Sequence, residues 1–302
     1  MKTKLLFMLL LCSFYCVSCS NDVKTDAKEN AVVEANYAKL NETLDLYSQN
    51  FVASHPTSVA TRGRFWNWFK AVLLCDASGA ALGGIVGGGG GALIGGILFS
   101  ACAGSCAYVV PRPPLSDQME MAIVTEVPCL SLKDDSVGFL HNSIISEIAE
   151  ENEGVFEDNL TTEEWMNLII PKAEKYGCSV SESDKNTIIS KMNEMPLSSE
   201  LVQNDEQLVE YYKMKMPERA QQLDIIKTYV STASQIMCKD DLQEYTEGCT
   251  RIISETQLPV EEQKALASSV IVAENSALLL SLIHIRAHET RSNLVCRLLL
   301  EK

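Results

Sequence analysis

The spacings that announce common chemistry are missing from this sequence. His284 and His288 lie four apart, as two imidazoles sharing a metal on one helix face would. No Glu follows His284, so the HExxH arrangement is absent, and His55 and His141 are far away in the chain. No CxxC pair or His–Cys cluster has zinc-finger spacing, and no nucleophile elbow, phosphate loop or paired-carboxylate motif stands out. Catalytic residues, a metal and a cofactor are therefore not expected. Apolar/polar alternation is almost absent, with Ala122 to Val127 the one candidate strand, and no repeat has solenoid length. Basic charge is also short. The net charge is −15, and residues 113–302 alone carry 16 Lys and Arg against 33 Asp and Glu, whereas residues 1–112 carry 9 against 7. So acidic a C-terminal part argues against nucleic acid and against electrostatic docking on anionic lipid.

Charge is missing altogether from Ala77 to Val110, where a different pattern takes over. Gly79, Gly83, Gly87, Gly91 and Gly95 recur at intervals of four, with Gly84, Gly88 and Gly96 beside them as an incomplete second register. Residues four apart share a helix face, so the pattern makes a strip of bare backbone. In water each such glycine costs a helix about 1 kcal/mol relative to Ala. In lipid, where the backbone must satisfy itself, helix is nearly obligatory and small-xxx-small strips let helices pack closely. Ile85, Val86, Leu93, Ile94, Ile97, Leu98 and Phe99 distinguish the run from a polar Gly/Ser linker. As one helix its 34 residues would be about 51 Å long, against a bilayer core of about 30 Å. It is either a strongly tilted span or a hairpin broken within Gly87 to Gly91, with arms of about 15 residues that are short for a full crossing.

The flanks of the run are those of a membrane interface. Phe65, Trp66, Trp68, Phe69 and Lys70 form an aromatic and basic collar with Arg62 and Arg64. Arg62-Gly63-Arg64 also reads as an exposed protease site, where a cut would part the glycine run from what precedes it. Pro111 to Pro114 close the segment.

The N-terminus has the three-part order of an export leader: Lys2 and Lys4, the apolar run Leu5 to Leu11, then small or neutral residues up to Cys19. The string Cys16-Val17-Ser18-Cys19-Ser20-Asn21-Asp22 resembles the bacterial lipobox at its Ser18–Cys19 junction, with Cys16 standing where Leu or Val is usual. That resemblance implies cleavage before Cys19 and its lipidation. Ser20, Asn21 and Asp22 resemble surface-export signals of lipoproteins from gut anaerobes, which implies an outer-membrane, surface-exposed address. Of 11 cysteines, eight follow Cys19: Cys75, Cys102, Cys106, Cys129, Cys178, Cys238, Cys249 and Cys296. After export they permit some disulfides beside buried thiols.

Beyond Pro114 the pattern is helical. Leu140, Ile144, Ile145 and Ile148 make an apolar face; Thr161 to Glu164 read as a capping box ahead of Trp165 and Ile169. Pro217 opens a helix striped by Leu223, Ile226, Val230, Ala233 and Met237, and Pro259 opens the last long one. Ala265 to Ile285, charged only at Glu274, is read as a buried core helix, because a mid-span carboxylate is costly in lipid. Glu147, Glu150, Glu151 and Glu153 read as a solvated helix end. The expected organisation is a signal peptide over 1–18, a polar tether over 19–61 with a short helix near Val32 to Tyr47, the collar and glycine-zipper membrane segment over 62–114, and an acidic α-helical bundle over 115–302. The fold class is mostly α.

Over about 45 residues the sequence resembles two groups. One comprises bacteriocin-like, contact-toxic proteins in which a glycine zipper follows a Trp-rich basic start, here Phe65-Trp66-Asn67-Trp68-Phe69-Lys70. The other comprises glycine-zipper lipoproteins of outer membranes, small structural components of the envelope. The first implies insertion into a target membrane, self-association through the zipper, pore formation, and a surface receptor or an immunity protein as partner. The second implies packing within the cell's own envelope. The acidic helical region fits neither pattern.

Overall fold

The computed structural model describes residues 31–55, 64–106, 136–152, 154–156, 158, 160–198, 200–236 and 238–300; of these, the side chains of 64–66, 104–106, 203 and 281–300 are not described. The leader, Cys19, Arg62, Cys129 and the Ala122 to Val127 candidate strand lie outside those residues. Among them the fold is helical throughout, with nine helices and no strand. In chain order these are α1 (residues 31–54), α2 (Arg64–Cys106), α3 (Val137–Glu151), α4 (Thr162–Lys175), α5 (Glu182–Asn193), α6 (Asp205–Lys215), α7 (Ala220–Ala233), α8 (Lys239–Ser254) and α9 (Val260–Leu300). Single 3-10 turns, Leu201–Gln203 and Pro217–Arg219, lead into α6 and α7.

Local chemistry accounts for the helix ends. Thr161 accepts from the Glu164 N–H while the Glu164 carboxylate accepts from the Thr161 N–H, closing the capping box of α4. Helix α4 ends in a Schellman turn: Gly177 takes a positive φ of 74°, its N–H donates to Glu174 O, and the Cys178 N–H donates to Ala173 O. Only a few residues then remain before Ser181 caps α5 through the Asp184 N–H. Asn204 does the same for α6 through Gln207.

Packing puts α2 in the middle. Its apolar residues are buried alongside those of α3, α4, α6, α7, α8 and α9 in one continuous core, so the glycine-rich segment and the acidic helices share an interior. Helix α9 lies along α2, and Ala265 to Ala273 on it are buried, Glu274 included. Gly138 brings α3 against α9, because a Cβ there would lie 2.5 Å from the Asn275 Nδ2 atom and the Ile271 carbonyl oxygen. Residues 31–54, within the stretch expected to be a tether, form a full helix seated on α7, α8 and α9 through Tyr37, Leu40, Leu44 and Phe51.

One acidic residue departs from the sequence expectation. Glu147 is not solvated: its carboxylate is largely enclosed and takes Lys175 at 3.2 Å, Lys172 at 3.7 Å and the Tyr176 hydroxyl. Sequence spacing within α3 could not show this, because the partners come from the end of α4. Desolvation works against the charge, but the Tyr176 and Lys175 hydrogen bonds and the two lysine charges outweigh it and hold the carboxyl below its ordinary value. The same hydrogen bond, with burial, pushes the Tyr176 phenol up to about 12. A carboxylate with a lowered folded pKa stabilises fully above the ordinary value of about 4.3 and loses that contribution as pH falls through the folded value. Glu147→Gln should therefore destabilise the protein by about 1–3 kcal/mol at neutral pH. The penalty in thermal melts should vanish in acid below the carboxylate range; an equal penalty at both pH values would contradict the assignment.

Candidate functional site

The glycine-rich segment is a helical hairpin. Helix α2 breaks at Gly87 (φ −133°, ψ 24°) and Gly88 (φ 59°, ψ −147°), so residues 64–86 and 89–106 run back to back. Gly88 adopts a left-handed φ that residues with a Cβ rarely take. Across the hairpin Gly79 faces Gly95 and Gly83 faces Gly91. A Cβ built on any of the four would collide with the backbone of its opposite number, at a separation real Cβ atoms do not reach. The arms therefore touch backbone to backbone, and hydrogen is the only side chain that fits. Gly87 belongs to the same sequence register but not to this contact. It sits at the bend, with Val180 and Asp184 as its neighbours.

Both arms of this thin hairpin are covered by other helices, whereas the tip is partly exposed. Helix α9 lies over the second glycine register, with Ala265 against Gly84 and Val272 against Gly96. Helix α3 reaches Gly96 through His141. The turn between α4 and α5 packs on one side of the tip, where a Cβ on Gly90 would meet the Ser179 carbonyl oxygen at 2.6 Å, and Gly88 at the bend stays exposed. Helix α6 packs Tyr212 on Phe99 with ring centres 5.8 Å apart, and its hydroxyl donates to Cys75 Sγ at 3.3 Å. Burial pushes that phenol well up, and Cys75 adds to the effect, so Tyr212 stays neutral. Of the collar, Phe69 is core, Trp68 packs against the core, and Lys70 pairs with Asp205 of α6 at 3.6 Å.

One polar cluster interrupts the apolar surroundings. Asp76 (1 % exposed) on the first arm meets His141 (1 %) on α3 and Ser276 on α9, next to Glu274 and Asn275. Asp76 faces the His141 imidazole and the hydroxyls of Ser276 and Ser100. Asn142 ties α3 to α9, donating to the Asn275 carbonyl at 2.8 Å, and His141 Nδ1 lies 3.1 Å from Asn142 Oδ1. Asp76 Oδ1 and His141 Nε2, both buried, complete no hydrogen bond, while the Ser276 and Ser100 hydroxyls favour the Asp76 carboxylate. Buried polar atoms in that condition cost about 1–3 kcal/mol each. The cluster thus joins hairpin, α3 and α9 at their least favourable contact. The sequence pattern missed it because Asp76 stands one residue ahead of the uncharged run and His141 and Ser276 are distant in the chain.

The carboxyl, imidazole and hydroxyl groups here resemble catalytic parts, yet they are sealed inside the protein. Among the described residues no group of three or more His, Cys, Asp or Glu could hold a metal ion. Cys238 and Cys249 are free thiols. Burial drives the Cys249 thiol far up against the opposing Tyr245 hydrogen bond, and Glu274 adds to it, which leaves a poor nucleophile. His284 and His288 lie on α9 where side chains are not described.

Adjacent glycines offer a controlled test of the hairpin contact. Gly83→Ala and Gly84→Ala gain the same helix propensity, but only the first methyl strikes the opposite arm, whereas the second meets Ala265 at 3.3 Å. Gly83→Ala should lose about 1–3 kcal/mol in denaturant unfolding and Gly84→Ala should be near neutral; equal losses would show that the arms do not touch there. Asp76→Asn keeps the shape and removes the acidic group, and should raise the melting temperature, since an incompletely paired buried carboxyl group is costly. A lower melting temperature would mean that the cluster is a net stabilising network.

Comparison with protein-family models, with curated proteins and with solved structures gives no match, so the geometry alone bears on function.

Proposed function

We propose that this chain is an exported, lipid-anchored bacterial protein that carries a membrane-inserting glycine hairpin sheathed in soluble helices, and that it acts as an antibacterial, pore-forming toxin. The single supporting observation is the placement of the most apolar segment. Asn67–Ala103 contains an 18-residue window of mean hydropathy 1.7 and is long enough to cross a membrane, yet most of it is packed among helices of a strongly acidic chain. Residues 64–86 rise about 34 Å and residues 89–106 about 27 Å, close to the roughly 30 Å of a bilayer core. A hairpin with both arms paired keeps its backbone hydrogen bonds on moving from the protein interior to lipid. Cys19 would hold the protein at the surface of the producing cell. A cut near Arg62 or Arg64 would separate the hairpin and shell from that anchor. After insertion the Gly84 and Gly96 face, covered by α9 in the sheathed form, becomes available for self-association.

The second reading is a non-toxic envelope lipoprotein whose glycines serve only a tight core. It is favoured by the self-paired Gly79, Gly83, Gly91 and Gly95, which need no membrane to be satisfied.

A reversible lock separates the two. The ideal Cβ of Gly84 lies 3.3 Å from Ala265 Cβ, close to disulfide reach, so Gly84→Cys with Ala265→Cys can bolt the hairpin to α9. Dye leakage from liposomes is expected from the reduced double variant, absent from the oxidised form, and restored by reductant. Equal leakage with the lock closed refutes release of the hairpin. No leakage from wild type, whole or cut near Arg64, favours the envelope reading.

A further inference from the structure

We infer that α1 is a docked strap with its own interface, which keeps the anchored N-terminal piece bound to the body after the chain between α1 and α2 is cut. The biological use of this strap rests on the proposed cleavage near Arg62 and Arg64; the docking itself rests on geometry.

Helix α1 is held by one face. Tyr37, Leu40, Leu44, Ser48 and Phe51 are buried at spacings of three and four, while Lys39, Glu42, Thr43, Asp45, Leu46 and Gln49 on the other side are exposed. Polar contacts run the length of that face. Near its start, Asn36 Nδ2 donates to the Gln257 carbonyl at 3.1 Å, and the Tyr37 hydroxyl donates to Glu262 of α9 at 2.5 Å. At the middle, Thr228 of α7 donates to Asn41 at 2.9 Å. Toward the end, Ser48 and Tyr245 of α8 share a hydrogen bond of 2.7 Å, and His55 Nε2 lies 3.8 Å from the Glu244 carboxylate. Tyr47 stacks on Tyr245 (5.7 Å, 3°), which stacks on Tyr229 of α7 (5.4 Å, 14°).

The body is also shaped for this helix. Gly248 lies within α8, where glycine weakens a helix, and a Cβ there would overlap the Tyr47 ring. The missing side chain is the seat of Tyr47. These contacts join two parts of the chain on either side of residues 56–63, so none of them is lost when a peptide bond there is cut. Most of the stability of an amphipathic helix comes from packing its apolar face, so α1 gives up much of its order along with its contacts when it leaves. Cutting and release are therefore separate events. The cut breaks the covalent link to Cys19, and dissociation of α1 frees the body.

The test immobilises the full chain on beads through a tag at its N-terminus, with a site for a sequence-specific protease written over residues 57–61. After complete cutting, the wild-type body should stay on the beads through washing and come off in denaturant. Leu40→Ala with Leu44→Ala should release it roughly a hundredfold faster, since affinity losses appear mainly in the off-rate. Gly248→Leu, which alters neither α1 nor the hairpin, should also speed release, and melts of the uncut variants establish that the body is folded. A wild-type body that leaves the beads on cutting, or variants that hold as firmly as wild type, would overturn the strap. Liposome leakage by the freed body is read separately, so a failed strap leaves the membrane reading standing, and the converse holds.

Discussion

Everything in this molecule is arranged around the contact between two backbones. Gly79 and Gly83 on one arm of α2 meet Gly95 and Gly91 on the other with no side chain between them. Two helices this close form a slab thin enough to be enclosed by a single layer of helices, which a hairpin of Leu-faced arms would not. Closeness also compensates for the poor helix propensity of glycine, because the bare strips are pressed together and shielded from water. The bend at Gly87 and Gly88, the packing of the α4–α5 turn on Gly90 and the long seam with α9 all depend on that thin slab.

Burying such a segment in a protein and burying it in lipid are physically similar acts. Both remove apolar surface from water, and the hydrophobic effect separates each from water far more than it separates one from the other. What distinguishes them is polar. Asp76 and His141 are enclosed with hydrogen bonds left unmade, where hairpin, α3 and α9 meet. The surrounding helices are held elsewhere by well-made contacts: the Glu147 ties between α3 and α4 and the aromatic stack that carries α1. A firm periphery around an under-satisfied joint is consistent with a proposed role that requires the interior to come out.

Local signals in the sequence translated directly where they were self-contained. Thr161 and Glu164 cap α4 as their spacing indicates, and Leu223, Ile226, Val230 and Ala233 form the buried stripe of α7. Glu274 marked α9 as a core helix, and over its described part it is one. The readings that fell short all involved partners remote in the chain. Glu147 takes its lysines from α4, the Asp76 cluster draws on three helices, and a stretch read as tether is docked by Tyr37, Tyr47 and Phe51 onto residues about 200 positions away.

The amino-acid sequence by itself determined the helical class, the helix ends and the existence of a glycine face, because each of these follows from residues within a few positions of one another. It left open what the glycine face would touch. Period-four glycines are compatible with a second copy, with lipid-embedded neighbours or with their own return arm, since all three present a backbone at the same distance. The tertiary structure decided for the return arm in this state, through one left-handed glycine at the tip and a shell whose side chains leave room for nothing wider.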